Sequence, residues 1–242
     1  MATTKVNSKA SQFLDSVLSL NLRLAAFDCD GTLWAGDAGE GFFDWELKRG
    51  LVSPEIVAWA RARYSDYKAG RVSEDDMCGD MVTLHCGLRE TEVEKAAGDF
   101  FEGHIAAQIF PEMRELVSRL RAAGCEVWAV SSSNEWVIRQ AMKHFDIPAD
   151  RILAAATEVE NGIVTDRLIR VPSGPGKPRA IEEVVRRIPD AAFGNSRWDA
   201  DMLKIARHPF AVNPNPDLEG LARERGWTTY FPDPAGAASE NT

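Results

Sequence analysis

Asp28 and Asp30 stand two residues apart at the end of the short apolar run Leu24-Ala25-Ala26-Phe27, with Gly31 and Thr32 next. Side chains alternate along an extended strand, so the two carboxylates share a face if the strand simply continues. Paired acids at a buried strand end repel each other and lose hydration, which a cation or a shared proton offsets. Asp-Gly is also a common turn pair, so the pair in isolation reads equally well as a strand stopping in a polar turn. Ser131 and Ser132 follow a second apolar run, Lys177 sits in the loop Gly174-Pro175-Gly176-Lys177, and Asn195 and Asp199 follow Ala191-Ala192-Phe193-Gly194.

These residues need elements to hold them. Leu24–Phe27, Cys125–Val130, Ala191–Phe193 and Phe210–Val212 read as short core strands. Ser8–Leu20, Pro111–Ala123, Ser131–Phe145, Pro178–Arg187, Met202–Ile205 and Pro216–Arg225 read as helices or helix entries between them. Arg151–Glu158 and Ile163–Arg170 flank Asn161-Gly162, a hairpin signal because both turn residues tolerate positive φ. Trp227–Phe231 reads as an edge strand and Pro232–Thr242 as a loose tail. Residues 37–105 break the alternation, with four helical patterns and no strand. Ser53-Pro54 and Ser73 with Asp76 provide capping signals, and Gly50 and Gly70 provide stops.

Strands separated by helices imply an α/β protein with a Rossmann-like parallel sheet, right-handed crossovers and helices on both faces. The division is a discontinuous core of residues 1–36 and 106–242, with an inserted all-helical cap at 37–105. Ligands in such sheets bind outside the carboxyl ends of the strands. Asp28/Asp30, Ser131 and Asn195 each follow a strand's carboxyl end, so one crevice can collect them.

Composition bounds the function. With 242 residues, 45% hydrophobic and 27% charged, the chain can bury a substantial core. A net charge of −9 argues against a nucleic-acid partner, which needs clustered Lys and Arg. No apolar run approaches the roughly 18 residues of a membrane span, and Met1–Leu20 lacks the apolar core of a secretory signal. Cys29, Cys78, Cys86 and Cys125 form no CxxC pair, so reduced thiols and a cytoplasmic location are expected. The glycine spacing and Pro178 rule out a nucleotide-binding loop at Lys177. The four histidines lack metal-ligand spacing.

Taken in order, the Phe27–Leu33 stretch with its DxDGT core, Val130-Ser131, Lys177, and Gly194-Asn195-Ser196-Arg197-Trp198-Asp199 resemble the four motifs of the haloacid dehalogenase superfamily. The helical insertion after the first motif resembles the phosphoserine-phosphatase-like branch. The resemblance covers nearly the whole chain. It implies a phosphatase that hydrolyses a small-molecule phosphomonoester, with Asp28 as nucleophile and Asp30 as acid and base. It implies that Ser131 and Ser132 bind phosphoryl oxygens at a helix N-terminus and that Lys177 neutralises Asp28 and the phosphate. Mg²⁺ would be held by Asp28, the Asp30 carbonyl, Asn195 and Asp199. Asp199 is either a ligand or an orienter of ligands, and Asp201 is a substitute candidate. Asn195 stands where most relatives carry aspartate, which predicts weaker metal binding. Asp30 also separates phosphoryl transfer from carbon–halogen cleavage, whose enzymes lack an acid at this place. A phosphomutase and a catalytically weak phosphate-binding protein are the alternatives.

For the substrate, Asp37 resembles by position the acid with which phosphoserine phosphatases meet the substrate ammonium, with Glu40 nearby. Val82 falls about where phosphoserine phosphatases carry an arginine for the substrate carboxylate, with Arg71 and Arg89 not far off. Trp34, Trp136 and Trp198, each near a motif, either pack the core or form an aromatic wall for an alkylammonium phosphate.

Overall fold

The computed structural model describes residues 8–233 of the chain, so most of the expected tail, from 234 onward, lies outside the described residues. Seven strands form one sheet in the order β4-β3-β2-β1-β5-β6-β7. They are β1 (Leu24–Phe27), β2 (Glu126–Asn134), β3 (Ile152–Glu160), β4 (Ile163–Arg170), β5 (Ala191–Gly194), β6 (His208–Val212) and β7 (Thr228–Tyr230). All neighbours pair in parallel except β3 with β4, the expected hairpin. Its turn residues Asn161 and Gly162 have φ of +51° and +77°.

Alternation along β1 splits the core into two layers. Ala25 and Phe27 point into one, and Leu24 and Ala26 into the other. In the first layer Phe27, Phe193 and Phe210 stack across β1, β5 and β6 at centroid distances of 4.1 and 4.7 Å. Helices α1 (Ser8–Leu18), α6 (Pro111–Ala122) and α7 (Glu135–Met142) cover that face. Helices α8 (Gly176–Ala180), α9 (Ala200–Ile205) and α10 (Pro216–Arg225) cover the other. The sheet is therefore buried on both sides, as a parallel sheet requires.

Between β1 and α6 lie α2 (Ala38–Arg49), α3 (Pro54–Lys68), α4 (Glu74–Thr83) and α5 (Glu90–His104). Ser53 and Ser73 cap α3 and α4 by accepting the backbone N–H groups of Ile56 and Asp76, as their spacing implies. Phe43, Leu47, Ala60, Val72, Met77 and Leu84 make a small apolar cluster among α2, α3 and α4. Val93, Ala97, Phe100 and Phe101 of α5 belong to the main core. Inside the insertion, His85 Nε2 lies 2.5 Å from Glu46 Oε2, both fully buried. The insertion is also clasped to the hairpin. Gly87 N donates to Val164 O, Val164 N to Leu88 O, and Glu90 N to Gly162 O, each at 2.9 Å.

Two local expectations are corrected. Ser131–Asn134 is extended and continues β2, with a register shift against β3 after Val130, and α7 starts only at Glu135. The helix expected at Pro178–Arg187 is a short α8 running into a π turn, Ile181–Val185. Among the described residues no helix is long and apolar enough to cross a membrane, and all four cysteines are free.

Candidate active site

β1 sits centrally, with β2 on one side and β5 on the other. The strand order reverses there, and the crevice opens at the carboxyl end of β1. Asp28 continues the pairing for one residue, its N–H donating to Phe193 O at 2.9 Å. The chain then turns, with Thr32 N and Leu33 N both donating to Cys29 O. Gly31 makes the turn at φ +72°. A Cβ at Gly31 would lie 1.8 Å from the Asn195 side-chain nitrogen, so the amide of Asn195 rests directly on this loop.

Because the strand does not continue, Asp28 and Asp30 do not share a partner. Asp28 Oδ1 accepts from Lys177 Nζ at 2.7 Å, and Oδ2 accepts from Thr32 Oγ1 at 2.7 Å. Asp30 Oδ1 accepts from Trp34 Nε1 at 2.8 Å and Ala38 N at 2.5 Å, while Oδ2 accepts from Ser133 Oγ at 2.6 Å. One carboxylate is held by a cation and the other by neutral donors, so the two titrate differently. Burial, reinforced by the charge of Asp199 and opposed by Lys177, pushes Asp28 up to about 6. Burial and the charge of Asp37 push Asp30 up to about 7.

Lys177 is buried, and its ammonium also reaches Asp199 Oδ1 at 2.6 Å and Val130 O at 2.8 Å. Burial alone would pull its pKa down, but Asp199 and Asp28 together drive it above the usual lysine value. The other oxygen of Asp199, Oδ2, accepts from Asn195 N, Ser196 N and Ser196 Oγ at 2.9–3.1 Å. Asp199 therefore anchors Lys177 and closes its own turn. Of the two roles open to it from sequence, these contacts are those of the orienter. Asp201 pairs with Lys204 at 2.8 Å on the partly exposed side of α9, away from this cluster.

Ser131 is buried and accepts from Ser133 N at 3.1 Å, which leaves its own O–H free to donate. With α7 starting at Glu135, Ser131 is not at a helix N-terminus; Asn134 caps that helix through Trp136 N. Ser132 and Ser133 line a small cavity of about 70 Å³ together with Asp37, Glu40, Tyr64, Tyr67 and Glu74. Asp37 caps α2 by accepting from Glu40 N at 2.8 Å. The hydroxyls of Tyr64 and Tyr67 donate to Glu40 and Glu74.

Trp34 is not a wall of this cavity. It is fully buried, edge-on to Phe101 at 5.4 Å, and holds Asp30 through its indole N–H. Trp136 is likewise buried and donates to Glu90. The aromatic side chains at the cavity are instead the tyrosines of α3. Sequence reasoning missed Tyr64, Tyr67, Glu74, Thr32, Ser133 and Asn213, whose side chain donates to Gly31 O at 3.0 Å. The Asn213-Pro214 turn after β6 was the signal for the last of these.

A larger cavity, about 710 Å³, lies at the amino ends of β1 and β6 beside Arg23, Asp190 and His208. The carboxylates of Asp28 and Asp30 are at the other end of β1. Among the described residues no group of three His, Cys, Asp or Glu side chains is arranged to hold a metal. The donors that remain around the first loop are the Asp28 carboxylate, the Asn195 amide oxygen and main-chain carbonyls. All are oxygens, which fits a hard cation in kind.

A family model described as haloacid dehalogenase-like hydrolase matches residues 25–204. A histidinol-phosphatase of Neisseria meningitidis is 28% identical over 215 residues, covering 84% of this chain and 96% of the relative. The phosphoserine phosphatase SerB1 of Mycobacterium tuberculosis is 25% identical over 218 residues, covering 84% and 68%. The fold is shared with a Bordetella pertussis Tohama I protein of unknown function, with TM-score 0.76, 23% identity and coverage of 86% and 97%. It is also shared with a phosphoserine phosphatase solved as a phospho-aspartyl intermediate analogue, with TM-score 0.56, 18% identity and coverage of 88% and 94%.

Proposed function

The chain belongs to the haloacid dehalogenase-like hydrolases, and from that membership we propose that it is a Mg²⁺-dependent phosphatase of small amine-bearing phosphomonoesters, with residues 37–105 acting as its cap. The observation that carries this reading is the separation of Asp28 and Asp30 into two environments. Asp28 is held by Lys177 and Thr32, and Asp30, pushed up to about 7, is held by Trp34, Ala38 and Ser133. A nucleophile must be ionised when an acid is still protonated, and the Lys177 ammonium favours the ionised form of Asp28 while no cation is bonded to Asp30.

In the first step an Asp28 carboxylate oxygen attacks phosphorus and the bond to the ester oxygen breaks. Asp30 delivers its proton to that oxygen, so a neutral alcohol leaves. In the second step a water oxygen attacks the aspartyl-phosphate, Asp30 takes the water's proton, and the bond to Asp28 breaks. Ser131 donates to a phosphoryl oxygen, and Lys177 offsets the charge that Asp28 and the phosphate bring together. Mg²⁺, held by Asp28, the Asp30 main-chain carbonyl and Asn195, would supply Lewis-acid neutralisation of the phosphoryl oxygens.

The leaving group is read from the small cavity beside Ser132 and Ser133. Asp37, Glu40 and Glu74 give it negative charge and Tyr64 and Tyr67 also line it, while none of its described lining residues is a lysine or arginine. Lys68, which lies 5.0 Å from the Tyr64 ring centre, is engaged by Glu40 at 3.7 Å. Such a lining suits an organic ammonium or imidazolium and offers no partner to a carboxylate. This favours an amino-alcohol phosphate over phosphoserine, in line with the histidinol-phosphatase relative.

The deciding experiment is a Mg²⁺ assay of phosphate release from histidinol phosphate, phosphoethanolamine, phosphocholine, phosphoserine and p-nitrophenyl phosphate. Turnover is expected for the carboxylate-free amines first. Absence of turnover with every ester would refute the phosphatase reading, and strict preference for phosphoserine would refute the leaving-group reading.

A further inference from the structure

Tyr64 precedes Tyr67 by three residues and Lys68 by four, so one side of α3 carries two rings and an ammonium. Lys68 is the last residue of that helix, where a cation is favoured by the carbonyl end. Its Nζ lies 5.0 Å from the Tyr64 ring centre, 5.9 Å from that of Tyr67 and 3.7 Å from Glu40 Oε2. The tyrosine hydroxyls donate to Glu40 Oε1 and Glu74 Oε2, so the rings beside the ammonium are tied to two acids of the small cavity. Glu40, Tyr64 and Tyr67 line that cavity, whereas Lys68 is not among its lining residues. The ammonium therefore draws on the cavity's acids from outside its wall. It reaches a second acid at longer range: burial pushes the Asp37 carboxyl up, and the charge of Lys68 is one of the influences opposing that rise.

Taking the small cavity as the leaving-group site proposed above, we infer that Lys68 is a specificity-determining residue whose ammonium competes with the substrate's ammonium for Glu40. One oxygen of Glu40 is taken by Tyr64 and the other faces Lys68, so an entering ammonium meets an acid whose charge is already shared. The Lys68 side chain is more than half exposed, and an ion pair of that kind is weak and easily drawn aside. Lys68 thus lowers the preference for amine-bearing esters without closing the cavity to them. A leaving group that carries no ammonium makes no use of Glu40 and is indifferent to the competitor.

The test is a Mg²⁺ assay of phosphoethanolamine, phosphoserine and p-nitrophenyl phosphate with the native chain, Lys68→Met and Lys68→Arg. The quantity read is kcat/KM for an amine ester divided by that for p-nitrophenyl phosphate, which cancels any general loss of attraction for phosphate. Lys68→Met is expected to raise this ratio for phosphoethanolamine about threefold to fivefold, through KM. Lys68→Arg should keep it near the native value. In a Glu40→Gln background Lys68→Met should leave the ratio unchanged, because the contested acid is gone. An unchanged or lower ratio for phosphoethanolamine in Lys68→Met overturns the inference, and a fall confined to phosphoserine would assign Lys68 to the substrate carboxylate instead. If no ester is turned over, the phosphatase reading falls by itself. Calorimetric titration of phosphoethanolamine into the native and Lys68→Met chains then decides the competition. Tighter binding by the variant supports it, and equal or weaker binding overturns it.

Discussion

Ser133 donates its hydroxyl to Asp30 Oδ2 over 2.6 Å, joining residues 103 positions apart in the chain. The N–H of the same serine donates to Ser131 Oγ at 3.1 Å. A single residue on β2 therefore fixes the acceptor side of the Ser131 hydroxyl and one oxygen of Asp30. Its hydrogen bond to Asp30 favours the ionised carboxylate and holds its pKa down against burial.

Ser133→Ala removes that donor, so the pKa of Asp30 rises further. The alkaline limb of kcat/KM, which reports loss of the Asp30 proton, is expected to move upward by roughly one pH unit. A pH–rate profile with one fixed phosphomonoester measures it, and an unmoved limb would count against Asp30 as the acid.

Asp30 also gives stability a pH dependence. Its folded pKa, about 7, lies above the ordinary 3.8. The protonated form is favoured by folding, so this contribution is full below about pH 4 and is lost as pH rises through 7. In metal-free buffer the melting temperature of the native chain should fall relative to Asp30→Asn by roughly 5 °C between pH 5 and pH 8. Thermal melts of the two proteins across that window provide the comparison.

Lys177 is the only cation bonded to both Asp28 and Asp199 among the described residues. Lys177→Met leaves two buried carboxylates facing each other without compensation. A stability loss of about 3 kcal/mol is expected at pH 8. At pH 5 the loss should be smaller, because Asp28, with its pKa near 6, can take a proton instead. Urea denaturation at the two pH values checks this, and activity should fall by at least ~100-fold.

Glu74 and Glu40 line the cavity assigned to the leaving group. Glu74→Gln keeps a hydrogen-bond acceptor for Tyr67 but removes the charge. KM for an amine-bearing ester should rise about tenfold, with kcat little changed and the kinetics of p-nitrophenyl phosphate, whose leaving group carries no ammonium, also little changed. Equal effects on both esters would point to a structural role for Glu74.

The strand, the turn and the residues at its mouth are legible from sequence because each is a local pattern: an apolar run, then DxDGT, then hydroxyl, lysine and amide after later strands. The caps at Ser53 and Ser73 are local as well. Asp199 is different. Whether its oxygens meet a metal or a lysine depends on where α8 places Lys177 relative to β5, and no spacing encodes that. The tryptophans mislead for a related reason, since proximity to a motif in the chain does not say which way an indole points. Trp34 points into the core and reaches Asp30 only through its N–H. Tyr64, Tyr67 and Glu74 meet at the small cavity from two helices, so nothing nearby in sequence marks them. At β2, three consecutive serines look like a helix entry, yet they stay extended across a register shift between two residues paired with β3, Val130 with Leu153 and Asn134 with Ala155.

The clasp between residues 87–90 and the β3–β4 turn bears on how the chain acquires its shape during synthesis. The helices of the insertion leave the ribosome before the hairpin that fastens them, since Gly162 and Val164 are made more than seventy residues after Gly87. Until then the loop between α4 and α5 and the first residue of α5 lack three main-chain partners, and Val93 lacks Val164 from its apolar cluster. Translation must run past β4 before these three bonds can form, so a chain halted short of residue 164 has the loop between α4 and α5 not yet fastened to the sheet.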